Sequence, residues 1–338
     1  MSSPSDDASK GTPRGASAAS SLARRVLRIA LPFAISAVLL AWVFSRIDAR
    51  EALAYTRGEV LLRFLGPLLL FNAVTLLIEA RCLHRVARAT RASLGTWTAA
   101  RIKAASYLLS VLNYAIGAAG LSVLLRRRAG VGLADAASMV FLITLFDIGS
   151  VLASIAIGAS FLEVEALGVR IGLVGVLIAA IGAGFAFLRA PVGLGALDGL
   201  RQLDVFRAPR TAPIPLLIEL GCLRGLFVLC YVALTWSLFA AFGIEIGLAR
   251  AALGVAILLI VSVLPIAAGG LGTGQIAFVA VFSGLAPDAE LLAASILFSF
   301  GLVSMRALLG LVFAPEYTRE AFAAAREEAA SSDGAGER

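Results

Sequence analysis

Histidine, cysteine and lysine are the scarce residues of this chain. Its 338 residues include one histidine and three cysteines, and lysine occurs only as Lys10 and Lys103. Cys82, Cys222 and Cys230 have no metal or redox spacing. The last two stand eight positions apart on one apolar segment, too distant to bridge, so all three are expected to be small packing residues. His84 sits among arginines at the end of a hydrophobic run and reads as a loop residue rather than a ligand. Charge is scarce too, at 15% of residues, where a soluble domain carries about 25%. Against this, 60% of the residues are hydrophobic and the mean hydropathy is +0.93. Such a chain has too little polar surface to face water all round, so it reads as a polytopic membrane protein. Two soluble domains, a disulfide scaffold and a nucleic-acid partner are excluded, the net charge of +7 notwithstanding. The basic excess is nearly all arginine and reports orientation in the bilayer.

Enzyme signatures are missing. No G-x-x-x-x-G-K-[ST], H-E-x-x-H or G-x-S-x-G occurs, and no acidic cluster resembles a Mg²⁺–diphosphate site. No catalytic activity, cofactor or metal is expected.

Residues 1–24 read as a disordered cytoplasmic tail and 315–338 as a charged C-terminal tail. Between them lie eight hydrophobic segments. Those at 29–45, 64–80, 136–160, 171–188, 214–242 and 290–313 reach or approach the ~20 residues needed to cross a bilayer core. The first is too far from a small-residue cleavage site, and too charged in its flank, to be a signal peptide. Segments 104–125 and 251–285 differ in kind. One is interrupted by Asn113, Gly117 and Gly120, the other by Pro265, Gly269, Gly270, Gly272 and Gly274. Helix interiors disfavour such clusters, and irregular backbone at membrane depth survives only where protein or a wet cavity covers it. Both therefore read as re-entrant hairpins.

Charge counting agrees. With an internal N-terminus, six spans and two hairpins, 21 Lys/Arg fall on the cytoplasmic side and six outside. If 104–125 crossed instead, the split would be 13 to 14, which the positive-inside rule disfavours. Residues 110–134 also align without a gap on 262–286, with nine identities that include Gly117/Gly269 and Gly120/Gly272. The expected fold is all-α: an inverted repeat of span, span, hairpin, span, over about 25–162 and 170–314. Many secondary transporters are built this way, with the substrate between broken helices near the midplane. Both termini are then cytoplasmic, at the cell (inner) membrane.

Ionisable groups within the spans are costly and therefore informative. Asp147 falls near mid-bilayer, Arg306 in the last span and Arg224, with Glu219, in the 214–242 segment. They are expected to meet a charged headgroup or a proton, or else to form a buried ion pair that sets helix register. Glu79, close to the predicted end of its span, reads as structural. The turn from Pro265 to Gln275 offers glycine amides and a helix N-terminus that favour an anionic or carbonyl group; the alternative is a packing turn. The six basic residues of 81–103 and Arg126, Arg127 and Arg128 read as topology determinants or as a collector of anionic lipid.

The P-x-x-x-G-G-L-G-x-x-Q stretch at 265–275, followed by Gly284-Leu285, resembles the C-terminal signature of a flippase-like family. This is the lysylphosphatidylglycerol synthase transmembrane region, whose best-known member is the multiple peptide resistance factor. Tyr107-Leu108-Leu109 leading to Gly120 resembles the family's first hairpin, Asp147 the aspartate of the following helix and Arg306 the arginine of the last. Gln275 stands where the family usually has glutamate, and Ile143 and Thr144 replace its Glu-Arg pair, so its polar path is thinned. In a chain of 338 residues the aminoacyl-transferase domain of full synthases is not expected. The resemblance implies a stand-alone lipid flippase. Its headgroup contacts would be Asp147, Arg224, Arg306, Asn113, Gly117, Gly120, Pro265, Gly269, Gly270, Gly272 and Gln275. A transporter of a small polar solute and a non-transporting partner of a lipid-modifying or glycosyl-transfer enzyme are the other readings. Membrane lipids are the expected partners in each lipid reading.

Overall fold

The structure, a computed structural model, describes residues 54–112, 114–160, 202–263 and 272–335, with scattered helical positions between 172 and 199. The predicted span 29–45, most of 171–188, and Asn113, Pro265, Gly269 and Gly270 lie outside the described residues. Within them the chain is helical, without a strand. Four helices are long and apolar enough to cross a membrane. They are α1 (Gly58–Ala89), α4 (Leu133–Ser160), α6 (Ile214–Phe242) and α9 (Asp288–Ala335), the last apolar as far as Phe313. Shorter helices fall between them: α2 (Thr96–Leu112), α3 (Tyr114–Ala129), α5 (Arg207–Thr211), α7 (Leu248–Val263) and α8 (Thr273–Phe282). Large apolar side chains such as Leu62, Leu70, Leu229, Phe300 and Val312 stand exposed on the long helices, as a hydrocarbon solvent requires.

Local chemistry explains where these helices stop. Pro213 precedes α6, and the helix ends on Gly243 at φ 77°, where Ile244 N–H reaches back to Phe239 C=O at 2.9 Å and Gly243 N–H to Ala240 C=O at 3.1 Å. Glycine permits that left-handed cap at no steric cost. Asn72 and Thr75, polar residues in an apolar helix, donate back to the carbonyls of Leu68 and Phe71 at 2.8 and 2.7 Å. Their hydrogen bonds are thereby met inside the helix.

Two helix pairs turn back on themselves. In α2–α3, a Cβ on Gly117 would fall 2.0 Å from Ser110 Oγ, and one on Gly120 2.2 Å from Leu109 Cδ1. A straight helix would separate residues seven apart by about 10 Å, so the chain reverses here. In α7–α8, Gly254 lies against Phe282 and Val281, and Arg250 donates to the Ser283 carbonyl at 2.6 Å. At 16–17 residues, α2 and α3 are each about 25 Å long, short of a ~30 Å hydrocarbon core; α8, with ten residues, is about 15 Å.

The pairs open at opposite ends of the bundle. Leu94 at the entry to α2 and Ala129 at the end of α3 join one core cluster with Ala136 and Ala208. The base of α7–α8 packs at the other end, where Phe282 meets Phe239 near the end of α6 at a centroid distance of 4.9 Å. The 81–103 region differs from the expected basic loop. Helix α1 continues to Ala89 and α2 begins at Thr96, because Cys82, Leu83, Val86 and Ala87 extend the buried stripe at helical spacing while the arginines between them face outward. His84 is correspondingly a helical residue, its Nδ1 2.5 Å from the Leu94 carbonyl oxygen. The expected C-terminal tail is helical as well, since α9 runs on through Pro315 to Ala335.

Candidate functional site

Helices α1, α2, α4 and α6 converge on a buried group of charges. Glu79, ten residues before the end of α1, is buried. Its Oε1 lies 2.9 Å from Lys103 Nζ of α2 and 4.0 Å from Arg224 Nη1 of α6, and Tyr107 donates its hydroxyl to the Oε2. Arg224 is 2% exposed, so its charge depends on neighbours rather than water; its Nη1 stands 3.1 Å from Asp147 Oδ1 of α4. An arginine so enclosed is tolerated because two carboxylates face it. A small cavity of about 30 Å³ opens on this group, lined by Glu79, Lys103, Asp147 and Arg224, with Gly117 and Thr144 beside them.

Arg306 on α9 lies across Tyr107 from that group, out of contact with its carboxylates but within electrostatic reach of Glu79. Its Nη2 donates to the Tyr231 hydroxyl of α6 at 2.5 Å, and its guanidinium lies over the Tyr107 ring at 5.6 Å. Tyr231 is held by Phe71 and Phe227, with ring centroids 4.6 and 5.3 Å away. A second, larger cavity of about 140 Å³ adjoins Arg306 and Tyr231 and runs between α7, α8 and α9.

The structure thus joins Asp147 with Arg224 and sets Arg306 on the other side of Tyr107. Gly117 and Gly120 allow α2 and α3 to touch, and Gly117 also borders the small cavity. Gly272, at φ 90°, needs to be glycine, and its N–H donates to Gln275 Oε1 at 2.6 Å. Gln275 is fully buried and caps its own helix with that oxygen.

Sequence reasoning missed Glu79, Lys103 and Tyr107 as members of the charged group and Tyr231 as the partner of Arg306. It placed Glu79 at a helix end, whereas the helix runs ten residues further; it counted Lys103 as a loop charge, whereas Lys103 lies on α2. The period of Cys82, Leu83, Val86 and Ala87 was the available signal. Near the basic end, Glu219 of α6 receives Arg81 and Arg85 of α1 at 3.2 and 2.6 Å, a second tie between these two helices.

Long apolar helices with lipid-facing side chains and charges turned inward define an all-α, multi-pass membrane protein. The chain belongs to the lysylphosphatidylglycerol synthase TM region family, whose profile matches residues 29–310. No curated protein matches it in sequence. Membership ties the chain to lipid biology.

Proposed function

We propose that this protein is a lipid flippase: it takes an anionic or modified headgroup into the polar interior between the α2–α3 and α7–α8 pairs while the acyl chains stay in the bilayer. The observation that carries this reading is the enclosed group of Glu79, Lys103, Asp147 and Arg224, which lines a cavity beside the α2–α3 pair. Ionisable groups so deep in an apolar protein mark a path for a polar cargo. Helix pairs that open at opposite ends support a repeat of inverted topology, the architecture of alternating access. Movement would be passive or gradient-driven, without catalysis by the protein. The basic end of the bundle is assigned to the cytoplasm of the cell membrane, with both chain termini on that side.

The test is reconstitution into vesicles carrying headgroup-labelled lipids in the inner leaflet, followed by surface quenching. The wild type is expected to speed the loss of inner-leaflet signal. Asp147→Asn and Arg224→Gln should each slow it by about tenfold or more, the equivalent of one lost charge-assisted contact of roughly 1.5 kcal/mol. Exchange no faster than in protein-free vesicles overturns the reading, and so does full activity in both variants.

A further inference from the structure

The two cavities occupy equivalent places in the two halves of the chain. At the offset that aligns 110–134 on 262–286, Glu79 falls on Tyr231, Lys103 on Val255 and Asp147 on Ser299. The first of each pair lines the small cavity and the second the large one. Gly158 of α4 and Gly310 of α9 are equivalent as well. A Cβ on Gly158 would lie 3.1 Å from Leu253 Cβ of α7, and one on Gly310 2.6 Å from Leu108 Cγ of α2. Each half thus lays its last helix against the first arm of the other half's hairpin. The charges break the equivalence, because Glu79, Lys103 and Asp147 have neutral counterparts.

Arg224 ties the halves together. It belongs to α6, in the second half, whereas Glu79, Lys103 and Asp147 belong to α1, α2 and α4, in the first. Its Nη1 stands 3.1 Å from Asp147 Oδ1 and 4.0 Å from Glu79 Oε1, so one guanidinium serves two carboxylates across the junction. The side chain of Asp147 is 28% exposed and that of Glu79 10%, which makes Asp147 the more accessible of the two. The chamber they share measures about 30 Å³. One water needs about 10–15 Å³, so the chamber has room for about two waters and, in this arrangement, none for a headgroup. The groups around Asp147 are Glu79 and the Cys82 thiol from α1, Lys103 from α2, and Arg224 and the Tyr231 hydroxyl from α6. Arg306 reaches them through Glu79. The charges of α3, α5 and the turn at Asp204 lie at the basic end, where Asp135 takes Arg207, and Arg250 of α7 is held by the Ser283 carbonyl.

Building on the flippase reading, we infer that Asp147 is the binding site of a coupling proton, which competes with Arg224 for the carboxylate and unlocks the two halves. In the arrangement described, the guanidinium holds Asp147 Oδ1. A proton arriving through the waters of the chamber bonds to that carboxylate and removes its charge. The Arg224 contact breaks, and the guanidinium closes on Glu79 Oε1, the second carboxylate already beside it. The ion pair then no longer holds α4 to α6, and the halves are free to move past one another. Carboxylates within membrane spans serve as proton relays for this reason, and protonation acts by biasing an element with two arrangements. The equivalent place in the other half holds Ser299, which takes up no proton, so each cycle carries one.

The experiment measures the distance between α4 and α6 by double electron–electron resonance. The full chain, in a cysteine-free background, carries spin labels at Leu152→Cys and Leu229→Cys, both exposed positions. Between about pH 8 and about pH 5 the distance should lengthen. Asp147→Asn, uncharged at either pH, should show the acid distance at both, and Asp147→Glu should keep the response. If Asp147→Asn does not fold, Arg224→Gln serves, with the same pH-independent distance expected. In vesicles with headgroup-labelled lipids, a gradient of about two pH units should shift the steady leaflet ratio by up to about a hundredfold for one coupled proton, a decade per unit. The slow residual exchange of Asp147→Asn should not respond to the gradient. A wild-type distance that ignores pH, a pH response retained in Asp147→Asn, or lipid exchange whose steady ratio ignores the gradient each overturns the assignment. Exchange without a pH-dependent distance removes the proton site and leaves the flippase reading; a pH-dependent distance without exchange does the reverse.

Discussion

At Glu79 a single carboxylate holds three helices together. Lys103 of α2 and Arg224 of α6 share its Oε1, and Tyr107 takes the other oxygen. Removing the charge leaves Lys103 without its carboxylate and Arg224 with Asp147 alone. Breaking a buried pair from one side costs about 3–5 kcal/mol, mostly as the uncompensated partner. Glu79→Gln is therefore expected to lower the thermal midpoint of the detergent-solubilised protein markedly, and Lys103→Met to do the same. The double variant should lose less than the sum of the two, since the second change removes the orphan left by the first. Additive losses would show that the two side chains do not act as a pair. Nothing in the local sequence distinguishes Glu79 from an ordinary helix-end glutamate. Its role depends on residues 24 and 145 positions away, Lys103 and Arg224, and on the fold that brings them in.

The two hairpins show how glycines of similar appearance serve different ends. A Cβ on Gly254 would lie 2.4 Å from Phe282 Cζ, in a fully buried aromatic cluster with Phe239 and Phe278. Gly254→Ala must push that ring aside, and overpacking of this kind costs about 1–3 kcal/mol. Gly274→Ala meets no such neighbour and replaces a weak helix former, so it should stabilise α8 by up to about 1 kcal/mol. The opposite signs are checked by comparing thermal midpoints of the two variants without added lipid; a shared sign would contradict the packing described for α7–α8. The interruptions at Gly117 and Gly120, and the cap at Gly272, were legible as breaks in apolar runs. Which glycine admits a neighbouring helix and which borders a cavity was not legible, because that depends on the partner across the gap.

At the scale of the whole molecule, Arg88, Arg91, Arg126, Arg127, Arg128, Arg207 and Arg210 gather at one end of the bundle. Asp135 with Arg207 at 2.7 Å and the Ala208 N–H with Ser138 Oγ at 2.6 Å close that end. Arg57, Arg63 and Arg250 lie toward the other. In a cysteine-free background, Ala92→Cys and Gly130→Cys should be labelled by an impermeant maleimide from the same, cytoplasmic face, and Gly247→Cys from the opposite one. Labelling of positions 92 and 130 from opposite faces would mean that the α2–α3 pair crosses the membrane and would reverse the charge count that set the orientation.

Composition and period were enough to determine a membrane-embedded, all-helical chain, the places of its four described long helices and the two segments that break. Those properties follow from interactions local in sequence: transfer of apolar side chains to lipid, helix caps, and the conformational freedom of glycine. Only the tertiary structure decided which charges meet one another. Pairing in a low-dielectric interior depends on distances between helices, and those are set by packing across the bundle. So the sequence could offer Asp147, Arg224 and Arg306 together, while the fold gave the first two to each other, added Glu79 and Lys103, and set Arg306 across Tyr107 against Tyr231.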